Sequence, residues 1–72
     1  MKTVFFITRK RNFTVSLDVG NLTITEYLTE DGEWDDRPEE AKRHDDYGEC
    51  VQIIESLPEP GFYGIEKVFV KE

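Results

Sequence analysis

Residues 3–9 read TVFFITR, and this stretch decides the fold that we expect. Its side chains are almost all β-branched or aromatic, which favours a strand, and apolar groups fall on both faces of that strand. A strand that is apolar on both faces is covered on two sides or lies in the middle of a sheet. We therefore expect a central strand here.

The residues that follow predict two more strands. The polar run 10–12 (KRN) is interpreted as a turn, and over residues 13–19 apolar and polar side chains alternate with the period of a half-buried strand. Gly20-Asn21 suits a two-residue hairpin turn because glycine tolerates positive φ, and residues 22–28 (LTITEYL) predict the third strand. Strands one to three are thus expected to form an antiparallel meander.

The C-terminal half predicts a helix and a final strand. Asp31-Gly32 ends the third strand or turns it into a short extension through Glu33 and Trp34. Asp46 has the sequence context of a helix start, and the residues after it with helical spacing on one face are Tyr47, Cys50, Val51, Ile54 and Leu57. Residues 58–61 (PEPG) end the helix, and residues 62–71 (FYGIEKVFVK) predict a fourth strand.

These elements predict one domain, residues 1–72, of the α+β class. The expected order is β-β-β-α-β, a four-stranded antiparallel sheet with one helix on one face and the fourth strand beside the first. The other face would be open, and a partly apolar open face suggests self-association or partner binding. The candidates to line it are Phe5, Ile7, Tyr27, Tyr63 and Phe69.

The charge of the chain constrains its partners. There are 16 acidic against 9 basic side chains, giving a net charge of -7 and a pI near 4.6. Such a field repels nucleic-acid phosphates and anionic lipid, so we expect no direct nucleic-acid or membrane partner, and it favours a protein with a basic surface. With one cysteine and neither a signal-peptide pattern nor a membrane-length apolar run, a cytoplasmic location is expected.

Residues 30–46, which we call the acidic belt, concentrate this charge. Their backbone is expected to form either a short helical turn near Pro38 or a mobile loop. The side chains act either as a solvated surface or as a docking surface in which Trp34 anchors a basic partner. The candidate partner-binding residues are Glu30, Asp31, Glu33, Trp34, Asp35, Asp36, Glu39, Glu40, Asp45 and Asp46.

No pattern in the sequence predicts catalysis, a metal site or a cofactor. His44 and Cys50 are the only histidine and cysteine, and we interpret them as a solvated histidine and a small core cysteine. The acidic residues match no zinc or calcium spacing. The protein is therefore expected to be no enzyme, with no cofactor.

A second polar feature is the basic run Arg9-Lys10-Arg11, flanked by Phe5, Phe6 and Phe13. Basic residues beside aromatic ones on a sheet can bind single-stranded nucleic acid by charge and stacking. The alternatives are a soluble hairpin tip, or a cluster that neutralises part of the acidic belt.

In size, acidity, a meander with one helix and the lack of enzyme motifs, the chain resembles small phage-encoded antagonists of bacterial machinery, anti-CRISPR proteins among them. Residues 57–62 (LPEPGF) before a final strand are similar to the end of a small phage inhibitor of bacterial RNA polymerase. The resemblance implies an inhibitor that acts in the host cell as a nucleic-acid mimic and occludes a basic surface, and it carries over no functional residue. The alternative function is a structural or regulatory module that assembles through the open sheet face, which includes a homodimer.

Overall fold

The computed structural model describes residues 1–16, 18, 20–58 and 62–71. The elements are β1 (Lys2–Ser16), β2 (Gly20–Leu28), β3 (Trp34–Asp35), a 3₁₀ turn (Pro38–Glu40), α1 (Tyr47–Glu55) and β4 (Tyr63–Val70). The strands form one antiparallel sheet in the order β3-β2-β1-β4, and helix α1 packs against β1 and β4. The predicted α+β class and the order β-β-β-α-β are confirmed, and the first strand is central with the last strand beside it.

Strand β1 is one strand of 15 residues, so the turn predicted at residues 10–12 is wrong. Two of the polar side chains in and next to this stretch, those of Arg9 and Asn12, have partners across the sheet instead. Arg9 Nε donates to Glu26 Oε1 at 2.8 Å, and Thr23 Oγ1 donates to Asn12 Oδ1 at 2.8 Å. Cross-strand pairs of this kind stabilise polar residues within a strand. Because the partner belongs to another strand, the pattern of a single segment does not reveal the pair.

The chain reversal between β1 and β2 also differs from the prediction. Gly20 lies opposite Ser16 and Asn21 lies opposite Thr14, so Gly20-Asn21 is part of strand β2 and is not the hairpin turn. Gly20 starts β2 where the register shifts, and its φ is +83°. Glycine adopts such a positive φ more readily than residues with a side chain do. Leu17 and Val19 of the predicted second strand lie outside the described residues.

Strand β3 is the predicted extension beyond Asp31-Gly32. The N–H of Thr29 donates to the carbonyl of Glu33 at 2.9 Å and closes a three-residue loop over residues 30–32. Gly32 has a φ of +82°, the left-handed conformation that three-residue hairpin loops require at their last position. Trp34 and Asp35 then pair with the end of β2.

The helix begins where the sequence predicts. Asp46 is its N-cap, and its Oδ1 accepts a hydrogen bond from the N–H of Gly48 at 2.9 Å. The helix ends at Glu55, before Pro58, and its Cys50 is fully buried. None of the helices in the described part of the chain is long and apolar enough to cross a membrane.

Strand β1 is buried on both faces, as residues 3–9 predict. Its side chains alternate, so Val4 and Phe6 point to one face, and Ile7 and Arg9 to the other. We call these the Phe6 face and the Arg9 face. Val4, Phe6 and Ile7 are all buried, and the Phe6 ring meets Tyr27 edge-on at a centroid distance of 5.9 Å.

The five residues predicted to line one open face do not share a surface. Tyr27 lies opposite Thr8 and so belongs to the Phe6 face, whereas Tyr63 lies opposite Arg9. Ile7 has no exposed area, while Phe69 is 59% exposed. The prediction of one open face lined by this set is therefore wrong, because the register of β2 puts Tyr27 on the Phe6 face while the other four lie on the Arg9 face, where Ile7 is fully covered.

Candidate binding surfaces: the acidic belt and the basic aromatic cluster

The backbone of the acidic belt is held to the sheet at several points. Lys42 N donates to the carbonyl of Leu28 at 3.0 Å, and Thr29 and Ala41 form a bridge. Further along, His44 pairs with Phe5 through two hydrogen bonds of 2.8 and 3.0 Å. The helical turn that the sequence allows is present as the 3₁₀ turn. The belt is thus a structured excursion from β2 that returns to pair with β1.

Most of the negative charge of the protein lies in this excursion. Residues 30–46 hold nine acidic and three basic residues, a net charge of -6 out of -7 for the whole chain. Trp34 and Asp35 are half-buried, and the predicted binding residues that are exposed are Glu30, Asp31, Glu33, Asp36, Glu39, Glu40, Asp45 and Asp46. The belt therefore presents carboxylates to solvent from a fixed backbone.

The carboxylate of Asp35 is bound by another residue of the acidic belt, Arg37. Its two carboxylate oxygens accept hydrogen bonds from Arg37 Nε at 3.1 Å and from Arg37 Nη2 at 2.9 Å, and the N–H of Arg37 donates at 2.9 Å. The side-chain hydrogen bonds from Arg37, followed by its backbone hydrogen bond, lower the pKa of Asp35 to about 2. This carboxylate is therefore occupied by its neighbour.

Three other carboxylates of the belt also have structural partners. Asp45 lies 3.2 Å from Lys2 Nζ, Glu40 Oε1 lies 4.0 Å from Arg37 Nη2, and Asp46 caps the helix. By contrast, no ion pair of Glu30, Asp31 or Glu33 is present among the described residues. The carboxylates in the loop before β3 are thus available to a partner, as is the exposed Glu39, which also has no ion pair among the described residues.

Trp34 is not the exposed anchor that the sequence suggests. Its ring stacks on Tyr63 at a centroid distance of 5.6 Å and an interplanar angle of 15°, and the Arg9 guanidinium lies 4.5 Å from its centroid. Glu26 neutralises Arg9 from the same face. We call Arg9, Glu26, Trp34 and Tyr63 the basic aromatic cluster.

Sequence reasoning did not assign Glu26 or Tyr63 to this cluster. Glu26 is the only charged residue in the predicted third strand, and Tyr63 opens the fourth, so each was visible in its own segment. What joins them is the register, in which Arg9 lies opposite Glu26 on one side and opposite Tyr63 on the other. A lone acidic residue within an otherwise uncharged strand is the signal that could have indicated a buried basic partner.

The two residues considered for nucleophilic chemistry are both buried. His44 is only 3% exposed, so its interpretation as solvated is wrong, and the reason is its pairing with Phe5 in the sheet. Neither ring nitrogen has a hydrogen-bond partner among the described residues, and Nδ1 lies 3.7 Å from Glu49 Oε1. Cys50 is a core residue as predicted, and burial, with the charges of Glu49 and Asp46, raises the pKa of its thiol.

Neither a metal site nor a similarity to known proteins helps to assign a function to these surfaces. No group of three or more histidine, cysteine, aspartate or glutamate side chains within the described residues could hold a metal ion. Comparison of the chain with protein-family models, with curated proteins and with solved structures gives no match. The geometry of the two charged regions therefore carries the functional argument.

Proposed function

We propose that this protein is a non-enzymatic inhibitor whose acidic belt binds a basic surface of a bacterial protein complex, one that holds nucleic acid. The observation that carries the proposal is the net charge of -6 on a backbone fixed by hydrogen bonds to β1 and β2. A fixed backbone reduces the ordering entropy that binding would otherwise cost. A surface of this kind can compete with phosphates for the arginine and lysine residues of a partner.

The charge is localised, which supports a directed encounter with the partner. Outside the belt the chain has seven acidic and six basic residues, a net charge of only -1. A local field of one sign steers a partner of opposite charge and raises the association rate. The belt would therefore meet a basic surface in a preferred orientation.

The buried nucleophile candidates support a non-catalytic role. A catalytic cysteine works as a thiolate with a lowered pKa, whereas the pKa of Cys50 is raised and its side chain is buried. His44 is held in the sheet and is almost inaccessible to a substrate. With the resemblance to phage antagonists, these features favour an inhibitor that acts in the bacterial cytoplasm.

Charge reversal in the belt tests the proposal. A partner is first isolated from bacterial lysate and purified, and its affinity for the protein is then measured by calorimetry at low and at high salt. Replacing Glu30 and Glu39 by lysine should weaken binding about 10-fold, since each exposed pair is worth about 0.2–1 kcal/mol and each reversal adds repulsion. Nucleic acid should compete with the wild-type protein for the same partner.

The control reverses the same amount of charge outside the belt. Asp18 and Glu55 are exposed, and their double replacement by lysine changes the net charge equally. This variant should keep most of the affinity. Equal losses in the two double variants, or an affinity that does not fall with salt, would contradict docking through the belt.

A further inference from the structure

Beyond Arg9, strand β1 has an open edge on the side of β4. The ladder between these strands stops at the pair Arg9 and Tyr63, whereas β1 runs on to Ser16 with β2 as its only strand partner in the described part of the chain. Residues 10–16 and the facing part of β2 therefore form a two-stranded extension of the sheet. A two-stranded ribbon on its own is only marginally stable in water, and a third strand stabilises it.

The hydrogen bonds of β1 define which backbone groups face this open edge. The N–H and C=O of Phe5 bond to His44, on the side of β1 away from β4. Backbone groups alternate between the two sides of a strand, and the register with β2 is regular up to Thr14. The N–H and C=O groups of Lys10, Asn12 and Thr14 thus point to the open edge, where no backbone partner is present among the described residues.

A cleft of about 450 Å³ lies at the start of this edge. Its lining residues are Arg9, Lys10, Arg11, Asn12, Phe62 and Tyr63. Arg9 and Arg11 both contact Glu26, whereas Lys10 is exposed and forms no ion pair in the described part of the chain. Phe62 is 66% exposed, and it lines a smaller adjoining cleft together with Lys10. The junction between β4 and the open edge therefore offers one available cation close to one exposed apolar ring.

We propose that the open edge of β1 binds the extended C-terminal segment of a partner protein as an added antiparallel strand, with the terminal carboxylate at Lys10 and the last side chain on Phe62. An added antiparallel strand runs in the direction of β4, so its carboxyl end meets Tyr63, the first residue of β4. A chain that ends in the cleft avoids β4, whereas an internal segment has to turn away there. Strand addition to an open edge and capture of a C-terminal carboxylate are both recurring modes of peptide recognition.

The charge of the protein restricts the composition of the added segment. A net charge of -7 repels acidic peptides, so the segment carries no acidic side chain, and its terminal carboxylate is the one negative group that Lys10 receives. The acidic belt contributes no residue to the open edge or to the cleft. Strand addition at β1 and docking through the acidic belt can therefore be tested separately.

A peptide library tests this site on the full chain. Its members are N-acetylated pentapeptides of randomised uncharged residues with a free C-terminal carboxylate, because five extended residues span about 16 Å, the length of residues 10–14. The immobilised protein should enrich a subset of them. The affinity of the best pentapeptide, measured by calorimetry, should fall about fivefold when its carboxylate is converted to the amide. Absence of enrichment, or equal binding of the amide, would overturn the proposal.

Amide hydrogen exchange locates the bound peptide. In the free protein the N–H groups of Lys10, Asn12 and Thr14 should exchange rapidly, and those of Arg9 and Phe13, which face β2, slowly. The pentapeptide should slow exchange at the first three. Slowing only at other amides would overturn the proposal. So would a dimer, detected by sedimentation, in which these three amides are protected without peptide, since the edge would then belong to a second copy of the chain.

Matched variants test the roles of the two side chains. Lys10→Ala should abolish the preference for the carboxylate over the amide, and Phe62→Ala should lower the affinity about 10-fold because an apolar contact is lost. Phe69 and Lys71 are also exposed but lie outside the clefts, so Phe69→Ala and Lys71→Ala should leave both properties unchanged. All four side chains are exposed, which protects the fold. Equal effects of the two lysine variants, or of the two phenylalanine variants, would overturn the assignment.

Discussion

In the acidic belt most charged side chains lie in water, whereas in the basic aromatic cluster the charges are paired and half-buried. Glu30 and Asp31 are exposed, but Glu26 keeps only 15% of its side chain exposed and lies 2.8 Å from Arg9. An exposed charge contributes little to stability and is available for binding, whereas a half-buried charge must keep its partner. The same residue type is therefore available for binding in one region and stabilises the fold in the other.

Trp34 belongs to both regions. In the sequence it is the only large aromatic residue of the acidic belt, while in the fold its ring lies in the basic aromatic cluster. It therefore ties the start of the belt to β4 through Tyr63. We therefore expect a change at Trp34 to lower the stability of the fold more than it weakens any binding by the acidic belt.

The largest effect is expected for Trp34→Ala. The change removes the stack on Tyr63 and the contact with Arg9, and it should lower the free energy of unfolding by about 2–3 kcal/mol. Urea denaturation followed by circular dichroism measures the loss. Phe69→Ala is the control, because its ring is 59% exposed and its loss should cost far less. Equal losses would show that Trp34 is only a surface residue.

A smaller effect is expected when Glu26 loses its charge. Glu26→Gln leaves the half-buried Arg9 without its counterion and should destabilise the protein by about 1–2 kcal/mol. Glu30→Gln makes the same chemical change in the acidic belt and should stay within about 0.5 kcal/mol of the wild type. Denaturation of both variants in parallel gives the difference, and a reversed order would contradict the distinction between the two regions.

The smallest effect concerns the internal pair of the belt. Because the pKa of Asp35 is lowered from an ordinary value of 3.8 to about 2, its pairing with Arg37 stabilises the fold above pH 3.8 and is lost as the pH falls towards 2. Carboxyl chemical shifts measured by NMR through this range should give the low pKa. In Arg37→Ala the pKa of Asp35 should rise towards 3.8, and an unchanged value would exclude Arg37 as the cause.

Local patterns were sufficient for several elements. The capping residue Asp46 and the helical spacing from Tyr47 place the helix, and Asp31-Gly32 places the loop before β3. These signals lie within a few residues of each other, so hydrogen bonding and periodicity decide them locally. The turn predicted at residues 10–12 was wrong because the partners of Arg9 and Asn12, Glu26 and Thr23, lie 17 and 11 residues away in the sequence.

For the candidate surfaces, too, the local composition was visible in the sequence, whereas the contacts between distant residues were not. The composition of residues 30–46 predicts an acidic exposed region, but only the structure shows that Asp35, Asp45 and Asp46 have internal partners. The basic run 9–11 was recognised as a feature, while its aromatic neighbours Tyr63 and Phe62 come from the other end of the chain. Strand pairing brings these residues together, and the alternation within one segment does not encode it.

By itself the sequence determined the α+β class, the central place of the strand that begins at TVFFITR, the helix after Asp46 and the concentration of charge in the acidic belt. Periodicity, capping and composition are local properties, which explains why these predictions were within reach. Only the tertiary structure decided that β1 continues through residues 10–12, that Trp34 stacks on Tyr63, and that His44 is buried against Phe5. Each of these depends on the register between strands distant in the sequence, which is set by the packing of the whole sheet.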